Sequence, residues 1–427
     1  MLRGLTTCHR TLPNCFSYSV YFLKGTDGRL LNHKQQNEIA EFVERQPMSS
    51  SFLVYNSTEA NRKLTAWQTA LPWIRPFYAI KSNPIGCLLK ELTAGGSGLD
   101  CASRAEIKQA LDLGLPVSDI VYSNPIKDEN DLKWAADNNI QLTTADTTEE
   151  LEKIKQLAPN MKVLWRIAIK EDSADNLSTP FSGKFGDDID NESKIHTRMK
   201  QIKNLGVKLE GIHFHCGSGQ HGSSAFGRAV HLARKCLEIG RYYGHNMETL
   251  DVGGGFPSGN LSQKTIEALS ITRNDPLGYR IMAEPGRHFS AYSFYLLTRV
   301  LGKRVKSGKT CYHLNESLYH SFNSNIMDGM SFEMQDQFYG RINSGKQEPL
   351  DAMETSSLFG MTCDGLDVIT KSLNVPKDMK VKDWLCFSGM GAYTYGPRST
   401  FNGMNSTEKI QYWSGNVEPE ATAVPSH

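Results

Sequence analysis

Short apolar segments recur along the chain and alternate with amphipathic stretches of helical period. The segments with the length and composition of buried strands are FYAIK (77–81), GLDCA (98–102), IVYSN (120–124), QLTTAD (141–146), VLWRIA (163–168), GIHFHC (211–216), TLDVGGG (249–255) and YRIMAE (279–284). Strands that alternate with helices predict a parallel sheet. The number of these segments matches a closed (β/α)₈ barrel, and a doubly wound open sheet is the alternative that the pattern leaves open.

The stretches between these segments carry the start signals of helices. In SRAEIKQALDLG, Ser103 is a candidate N-cap, and Glu106 is an acidic residue of the first turn. DTTEELEKIKQLAP begins with a Thr or Asp cap, has acids in its first turn and has lysines toward its end. Both patterns predict amphipathic helices between the strands.

The two ends of the chain have a different pattern. FSYSVYFL, SFYLLTRVLGKRV, YHLNES, DWLCFSG and GAYTYG are rich in β-forming and turn residues and show few helical patterns. We therefore predict an α/β protein in which a (β/α)₈ TIM barrel spans residues 49–292. A second, all-β domain would combine residues 1–48 with residues 293–427, whose polar tail has the composition of a disordered segment.

Composition limits the classes of function. The chain has 427 residues, of which 39% are hydrophobic and 22% are charged, as in soluble globular proteins. A formal net charge of +1 gives no reason to expect a nucleic acid or a membrane as partner. The nine cysteines form no CxxC pair, which favours reduced thiols and no bound metal. We expect a cytoplasmic protein, with import into an organelle left open because no acidic residue precedes Asp27.

Polar residues stand at or just beyond the carboxyl ends of the predicted strands. They are Lys81, Asp100, Asn124, Asp146, Arg166, His215, Glu284 and Arg287. In a parallel barrel these strand ends face one mouth, where the active sites of this fold lie. Any one of them could be an ordinary loop residue, and Lys81 could be a strand end that meets solvent. Their convergence on one rim predicts an active site.

Glycines after a strand add a ligand-binding signal. LDVGGGF places Gly253, Gly254 and Gly255 where backbone N–H groups can approach a phosphate closely. The spacing is neither that of a P-loop nor that of a dinucleotide-binding fold, and a simple turn is the alternative. GSG at 217–219 offers a second backbone nest and the hydroxyl of Ser218.

EPGR sets Glu284 and Arg287 on either side of a Pro-Gly turn. Such a pair has two uses. The carboxylate can face a pyridine nitrogen while the arginine faces a phosphate, or the two side chains can form a salt bridge with each other. A lysine opposite a phosphate cradle, with a carboxylate for a ring nitrogen, is the set that pyridoxal 5'-phosphate requires. Lys81 would then be the lysine that binds the cofactor aldehyde.

A series of motifs in fixed order extends this picture over most of the chain. They are PFYAIKSN, GLDCASRAEI, IVYSNPIK, VLWRIA, GIHFHCGSG, LDVGGGFP, AEPGR, YHSFN, TCDGLD and MGAYT with STFNG. On these motifs the chain, from about residue 38 to 413, resembles the eukaryotic ornithine decarboxylases. The resemblance implies a (β/α)₈ barrel with a β-domain, pyridoxal phosphate as cofactor and a homodimer.

The resemblance also implies the cofactor contacts, residue by residue. Lys81 would be the Schiff-base lysine, Glu284 the partner of the pyridine nitrogen, and His215 the ring that stacks on the cofactor. Asp100 and Arg166 would lie beside the lysine and the ring hydroxyl. The groups implied for the phosphate are Ser218, the backbone of Gly253, Gly254 and Gly255, Arg287 and Tyr393.

In this family the active site is completed across the homodimer interface by the Cys-Asp of TCDG. Here Cys363 would act on Cα after carbon dioxide leaves, and Asp364 would pair with the distal amine of the substrate. Asp328 matches the second acid for that amine, from the same subunit as the lysine. Tyr319 and Phe401 match residues that line the shared pocket.

The activity that the resemblance implies is decarboxylation of L-ornithine to putrescine in polyamine biosynthesis, and regulation by an antizyme-type protein stays open. Met327 and Met361 depart from the tyrosine and proline usual at these positions, and Arg398 adds a cation near the mouth. Lysine or arginine as substrate therefore stays open, as does a non-catalytic, antizyme-inhibitor-like homologue. Racemase chemistry on a related barrel is disfavoured, because TCDG and the paired acids have no role there.

Overall fold

The structure, a computed structural model, describes residues 18–23, 30–46, 50–169, 183–217, 224–324, 338–350, 352–404 and 409–414. Strands and helices are numbered in chain order. Within these residues a closed parallel barrel is formed by β3 (Arg75–Ala79), β4 (Gly98–Cys101), β5 (Ile120–Tyr122), β6 (Leu142–Ala145), β7 (Lys162–Ile167), β8 (Lys208–Phe214), β9 (Thr249–Asp251) and β10 (Arg280–Ala283). The barrel closes between β10 and β3, where Met282 pairs with Arg75. The predicted barrel is confirmed, and the open sheet is excluded.

One barrel helix directly precedes β3, and each barrel strand is followed by a helix, as the alternating sequence pattern predicts. The barrel helices are α2 (Ser57–Ala70), α3 (Gly86–Ala94), α4 (Arg104–Asp112), α5 (Glu129–Asp137), α6 (Thr148–Leu157), α7 (Glu192–Leu205), α8 (Ser224–Tyr242), α9 (Gln263–Ser270) and the short α10 (Arg287–Ser290). Ser103 caps α4 by accepting from the Glu106 N–H at 3.3 Å, and Thr147 caps α6 by accepting from the Glu150 N–H at 3.2 Å. Both predicted caps are confirmed.

A second sheet joins the two ends of the chain. Its described strands are β1 (Ser19–Leu23), β2 (Phe52–Asn56), β11 (Phe294–Lys306), β12 (Lys309–Leu314), β13 (Phe338–Asn343), β14 (Lys346–Gln347), β15 (Met353–Phe359), β16 (Val368–Pro376), β17 (Trp384–Phe387) and β18 (Lys409–Trp413). Most pairs are antiparallel, whereas β1 with β17, β12 with β15 and β18 with β2 are parallel. Helix α1 (His33–Glu44), which the β-rich pattern did not predict, also lies in the first chain segment.

Strand β2 belongs to this second sheet, although we began the barrel segment at residue 49. It pairs antiparallel with β11, with Tyr55 opposite Phe294. Asn56 then caps α2 by accepting from the Glu59 N–H at 3.2 Å, so the chain passes directly from the sheet to the barrel. The apolar run FLVY is typical of a buried strand in either sheet, so its pattern could not decide between the two.

The segment GAYTYG, which we predicted to be β-rich, forms turns instead. A Cβ at Gly391 would lie 1.8 Å from the Ser290 carbonyl oxygen, so the backbone here packs too closely on α10 for an ordinary side chain. Tyr393 has a positive φ of 55°, which a strand does not accept. This turn region carries Tyr393 to the rim of the barrel.

The barrel and the second sheet share one hydrophobic core. Leu64 and Leu88 of the barrel helices belong to the same buried cluster as Tyr55 of β2 and Phe387 of β17. A smaller cluster packs α1 against the other face of the second sheet. The shared core fixes the position of the barrel relative to the sheet. In the part of the chain described, no helix is both long and apolar enough to cross a membrane.

Candidate active site at the carboxyl end of the barrel

Lys81 lies just beyond β3, where the chain makes a 3₁₀ turn over Ile80–Ser82. Its Nζ is 2.6 Å from Oδ2 of Asp100, which is fully buried, while the lysine side chain is 41% exposed. Partial burial lowers the pKa of Lys81, but the carboxylates of Asp100 and Glu284 outweigh this effect and raise the pKa above its usual range. The lysine therefore meets a carboxylate in the barrel mouth and is not the ordinary solvent-exposed end of a strand.

Asp100, the partner of Lys81, is fixed by groups on the neighbouring elements. Its Oδ1 accepts a short hydrogen bond from the Ser123 hydroxyl, a contact that we did not anticipate from IVYSN. Close by, Glu106 of α4 accepts from the Ala102 N–H at 2.6 Å. Burial, together with the nearby charge of Glu284, raises the pKa of Asp100, and Lys81 and Ser123 offset this only in part. The Lys81 amine thus has a competent proton acceptor next to it.

Strand register places three buried side chains in one row inside the barrel. Arg166 of β7 pairs with His213 of β8, and His213 pairs in turn with Asp251 of β9. His213 Nε2 lies 3.2 Å from Oε2 of Glu284, which follows β10. We predicted Arg166 from the sequence but missed His213 and Asp251. The signal for His213 is its position two residues before His215, since alternate residues of a strand share a face.

Burial and neighbouring charges give these groups different protonation states. Burial raises the pKa of Asp251 well above its usual range, and the nearby carboxylate of Glu284 adds to this effect. Burial also acts to raise the pKa of Glu284, but the His213 imidazole and the Lys81 ammonium lower it to about 2, so Glu284 stays ionised. Burial, assisted by nearby cations, lowers the pKa of His215 and leaves a neutral imidazole near pH 7.

The three glycines after β9 bring the backbone close to the site. Gly253 and Gly255 have φ angles of 61° and 101°, which glycine adopts without strain. A Cβ on Gly254 would lie 2.7 Å from His215 Nε2 and 3.0 Å from the Glu284 carbonyl oxygen. The Gly253 N–H donates to the carboxylate that ends β9, whereas no described residue accepts from the N–H groups of the next two glycines. Those two amides are therefore available to an anionic ligand.

Arg287 and Tyr393 occupy the next part of the rim. The Arg287 guanidinium lies 4.9 Å from the centroid of the Tyr393 ring. The Tyr393 N–H donates to the Ser82 carbonyl oxygen at 2.8 Å, which ties this residue to the 3₁₀ turn after β3. Glu284 pairs with His213, so, among the described residues, the internal salt bridge that we left open within EPGR is not formed.

A second group of predicted residues lies at the surface of the β-sheet domain. This surface cluster comprises Cys363, Asp364, Tyr319 and Phe401. The Tyr319 hydroxyl donates a short hydrogen bond to Asp364 Oδ2, and the Tyr319 ring stacks on Phe401 with centroids 4.4 Å apart. Cys363 is exposed, and its N–H donates to Asn402 Oδ1 at 3.0 Å. Among the residues described, no hydrogen bond or ion pair joins this cluster to Lys81.

Some predicted residues are not placed by the structure. Ser218 and Asp328 lie outside the described residues, as does Met327, so their assignments stay predictions. Of the other departures from the family pattern, Arg398 has its guanidinium 3.7 Å from the centroid of the Tyr395 ring.

The rim groups fit pyridoxal phosphate. They comprise an amine beside a proton acceptor, a neutral imidazole and a glycine cradle that leaves no space for a Cβ. Oε1 of Glu284 is buried and has no hydrogen-bond partner among the described residues. A buried acceptor to which no described N–H or O–H group donates is a site where a ligand can supply the donor. The protonated ring nitrogen of the cofactor is such a donor.

Comparison with known proteins agrees with this chemistry. Residues 57–291 match the family model described as pyridoxal-dependent decarboxylase, pyridoxal binding domain. The chain therefore belongs to the pyridoxal-dependent decarboxylase family, and its cofactor is pyridoxal 5'-phosphate. The resemblance that the motifs indicated is confirmed.

The similar proteins have names that indicate different functions. The chain is 37% identical over 376 residues to the chloroplastic ornithine decarboxylase of Nicotiana glauca, covering 86% of this chain and 84% of that protein. It is 34% identical over 391 residues to antizyme inhibitor 2 of Xenopus laevis, covering 87% and 82%. The arginine decarboxylase of Paramecium bursaria Chlorella virus superposes with a TM-score of 0.80 at 30% identity, covering 88% of this chain and 100% of that chain. Family likeness alone therefore does not fix the substrate.

The glycine cradle gives a first testable prediction. Gly254→Ala should raise the dissociation constant for pyridoxal phosphate about 10-fold, because the methyl group would displace His215 or the Glu284 backbone. Fluorescence titration of the cofactor-free protein measures this constant. Gly259→Ala is the matched control, since a Cβ there would meet no atom within 4 Å. Equal constants for the two variants would contradict the cradle.

Proposed function

We propose that the protein catalyses the decarboxylation of L-ornithine to putrescine and carbon dioxide for polyamine biosynthesis. The observation that carries this proposal is the Lys81 amine, 2.6 Å from the buried Asp100 on the rim that also holds Glu284 and the glycine cradle. An amine beside a proton acceptor is what the cofactor aldehyde requires of the protein. The identity to an ornithine decarboxylase supports the reaction.

Each rim residue has a proposed role toward the cofactor. Bound pyridoxal phosphate supplies an electron sink for the charge left on Cα when the carboxylate leaves. Glu284, which stays ionised, would hold a proton on the ring nitrogen. His215 and Arg166 would hold the ring and its hydroxyl group. The groups proposed to hold the phosphate are the amides of Gly254 and Gly255, the side chains of Arg287 and Tyr393, and Ser218 beyond the described residues.

Lys81 and Asp100 would control the proton on the lysine amine. While Nζ carries its full set of protons it has no lone pair and cannot act as a nucleophile. Asp100 Oδ2, 2.6 Å away, can accept one of these protons because burial raises the pKa of this carboxyl group. We infer that Asp100 would take a proton from Nζ before this amine attacks the cofactor aldehyde, and would return it when the substrate amine displaces the lysine.

The surface cluster supports a homodimer in which the two subunits share each active site. Cys363 is exposed, and the neighbouring Leu366 and Phe401 are 75% and 41% exposed. Large apolar side chains around an exposed thiol are typical of a surface that a partner covers. A second copy of the chain would bring Cys363 to the barrel mouth of its partner. There, Cys363 Sγ would deliver a proton to Cα after carbon dioxide leaves.

Asp364 favours an ammonium group as the distal charge of the substrate. Its Oδ2 accepts from the Tyr319 hydroxyl and its Oδ1 accepts from the Leu366 N–H at 3.0 Å. A guanidinium prefers two open oxygens of one carboxylate, whereas an ammonium is a compact charge that pairs with single oxygens. This favours ornithine or lysine over arginine, and Asp328 remains the proposed second acid.

Carbon dioxide release from labelled ornithine, lysine and arginine tests the substrate. We expect kcat/KM to be about 10-fold or more higher for ornithine, since one extra methylene in a fitted pocket costs about 1–3 kcal/mol. Asp364→Asn should raise KM for ornithine about 10-fold through loss of a charged partner. Asp137→Asn, at the exposed end of α5, is the control. A clear preference for lysine or arginine would contradict ornithine as the substrate.

A non-catalytic role is the second candidate, because antizyme inhibitor 2 is also 34% identical to the chain. Such a protein would bind an antizyme-type regulator and would not turn over substrate. The presence of Lys81, Cys363 and Asp364 together supports catalysis. Protein loaded with pyridoxal phosphate that released no carbon dioxide from any of the three amino acids would favour the non-catalytic role.

A further inference from the structure

His213 and Asp251 lie beside the candidate active site without a role in the function proposed above. They are direct neighbours in the register of β8 and β9, and their exposed fractions are 1% and 0%. One ligand-type atom of each lies within 4.8 Å of the others and of a carboxylate oxygen of Glu284. Polar groups buried this deeply cost free energy unless they interact with one another, so their arrangement calls for a function.

The hydrogen bonds of this trio leave one side of Glu284 open. His213 Nε2 is 3.2 Å from Glu284 Oε2, and Asp251 Oδ1 accepts from the Gly253 N–H at 2.8 Å. Among the described residues, His213 Nδ1, Glu284 Oε1 and Asp251 Oδ2 accept or donate no hydrogen bond between fixed donors and acceptors, and the Asp251 carboxyl lies close enough to Glu284 to share a proton with it. A proton on Nδ1 would therefore be a buried donor without an acceptor, which favours the tautomer with its proton on Nε2. In this tautomer His213 donates to Oε2 of Glu284 and makes no hydrogen bond to Oε1.

Electrostatics support a single ionised carboxyl group in the trio. The charged and titratable groups that face Glu284 from the surrounding elements are Lys81, Asp100, Arg166, His213, His215 and Asp251. Burial and the charge of Glu284 raise the pKa of Asp251, so Asp251 holds its proton while Glu284 is ionised. Histidine with two carboxyl groups is also a donor set for a divalent cation. Lys81 and Arg166, however, already place two positive charges beside this donor set, which disfavours a divalent cation there.

We propose that His213 is a positioning residue for the cofactor. It fixes Glu284 through Oε2, with Asp251 packed on the other side, so that Oε1 is presented to the ring nitrogen. This inference rests on the role of Glu284 in the proposed function. His213 does not touch the cofactor itself and acts only through the carboxylate that it orients.

Substitution of His213 tests the proposal through cofactor binding, without reliance on activity. His213→Phe removes the donor and should raise the dissociation constant for pyridoxal phosphate about 10-fold or more, the effect of losing a hydrogen bond to a charged group. His213→Gln, whose amide can also donate, should recover most of the wild-type affinity. His245→Gln is the matched control, because His245 is buried but donates to the Met199 carbonyl oxygen away from the site.

The pH dependence of cofactor binding is the readout that a purely structural role would not move. His213 lowers the pKa of Glu284, so its removal raises that pKa. As the pH is lowered, Glu284 of the variant therefore becomes protonated at a higher pH than Glu284 of the wild-type protein. The acid limb of the binding profile should therefore lie at higher pH in His213→Phe than in the wild-type protein.

Glu284→Gln separates failure of this inference from failure of the proposed function. Loss of affinity in Glu284→Gln together with wild-type affinity and an unshifted acid limb in His213→Phe would overturn the inference alone. Wild-type affinity in both variants would overturn the role of Glu284 as well. His213→Leu, which cannot overpack the site, replaces His213→Phe in each comparison if circular dichroism shows that the Phe variant is unfolded.

Discussion

Lys81→Ala should release carbon dioxide from ornithine at least about 10³-fold more slowly than the wild-type protein. The substitution removes the amine that the cofactor aldehyde requires and leaves the buried Asp100 without its cation. A buried carboxylate without a partner takes up a proton, so the variant also loses the proton acceptor of the pair. Initial rates with excess pyridoxal phosphate measure the effect, since an excess keeps weakened cofactor binding from limiting the rate.

Lys90→Ala is the control for this prediction. Lys90 is an exposed lysine of α3, the helix that follows the Lys81 turn, and its removal should leave the rate unchanged. The absorption spectrum of the bound cofactor should change in Lys81→Ala and not in Lys90→Ala. A wild-type rate in Lys81→Ala would refute the assignment of this lysine.

Mixing Lys81→Ala subunits with Cys363→Ala subunits should restore about a quarter of the wild-type activity, although each variant alone is nearly inactive. Random association gives mixed dimers in about half of the population, and each mixed dimer has one site in which both residues are intact. The prediction follows from the surface position of Cys363, which no hydrogen bond or ion pair of the described residues joins to the lysine of its own subunit. Rates measured after denaturation, mixing and refolding give the result.

The control mixes Lys81→Ala with Asp100→Ala subunits. Both substitutions then fall in the barrel half of the site, so every mixed dimer has two damaged sites and no activity should return. Light scattering verifies that dimers have formed in both mixtures. If the Lys81 and Cys363 mixture were as inactive as the control, Cys363 would not act across an interface.

Most of the barrel could be predicted from the sequence because its signal is local. Each strand is a short apolar run that ends in a polar residue, and parallel strand ends meet at one rim whatever the exact register. Lys81, Asp100, Arg166 and Glu284 could therefore be assigned to one mouth before any contact was known. Single-sequence patterns also located the caps Ser103 and Thr147, because capping is a matter of a few neighbouring residues.

The missed residues depend on register between distant strands. His213 becomes a neighbour of Asp251 only through the pairing of β8 with β9, and of Glu284 only through the further pairing of β9 with β10. A histidine in an apolar run such as GIHFHC is typical of a buried strand position and gives no sign of its cross-strand partner. Ser123 was missed for the same reason, since its contact with Asp100 joins β4 to the segment after β5.

The family model covers residues 57–291, but the hydrophobic core extends beyond both limits. Tyr21, near the start of the described chain, and Phe387, in β17, lie in the same buried cluster as Leu88 and Ile107 of the barrel helices. During synthesis on the ribosome, at about 5–20 residues per second, the barrel segment must remain partly uncovered for several seconds until β17 emerges. The nascent chain therefore exposes apolar surface of the kind that chaperones bind, and its core is completed only after β17 has been synthesised.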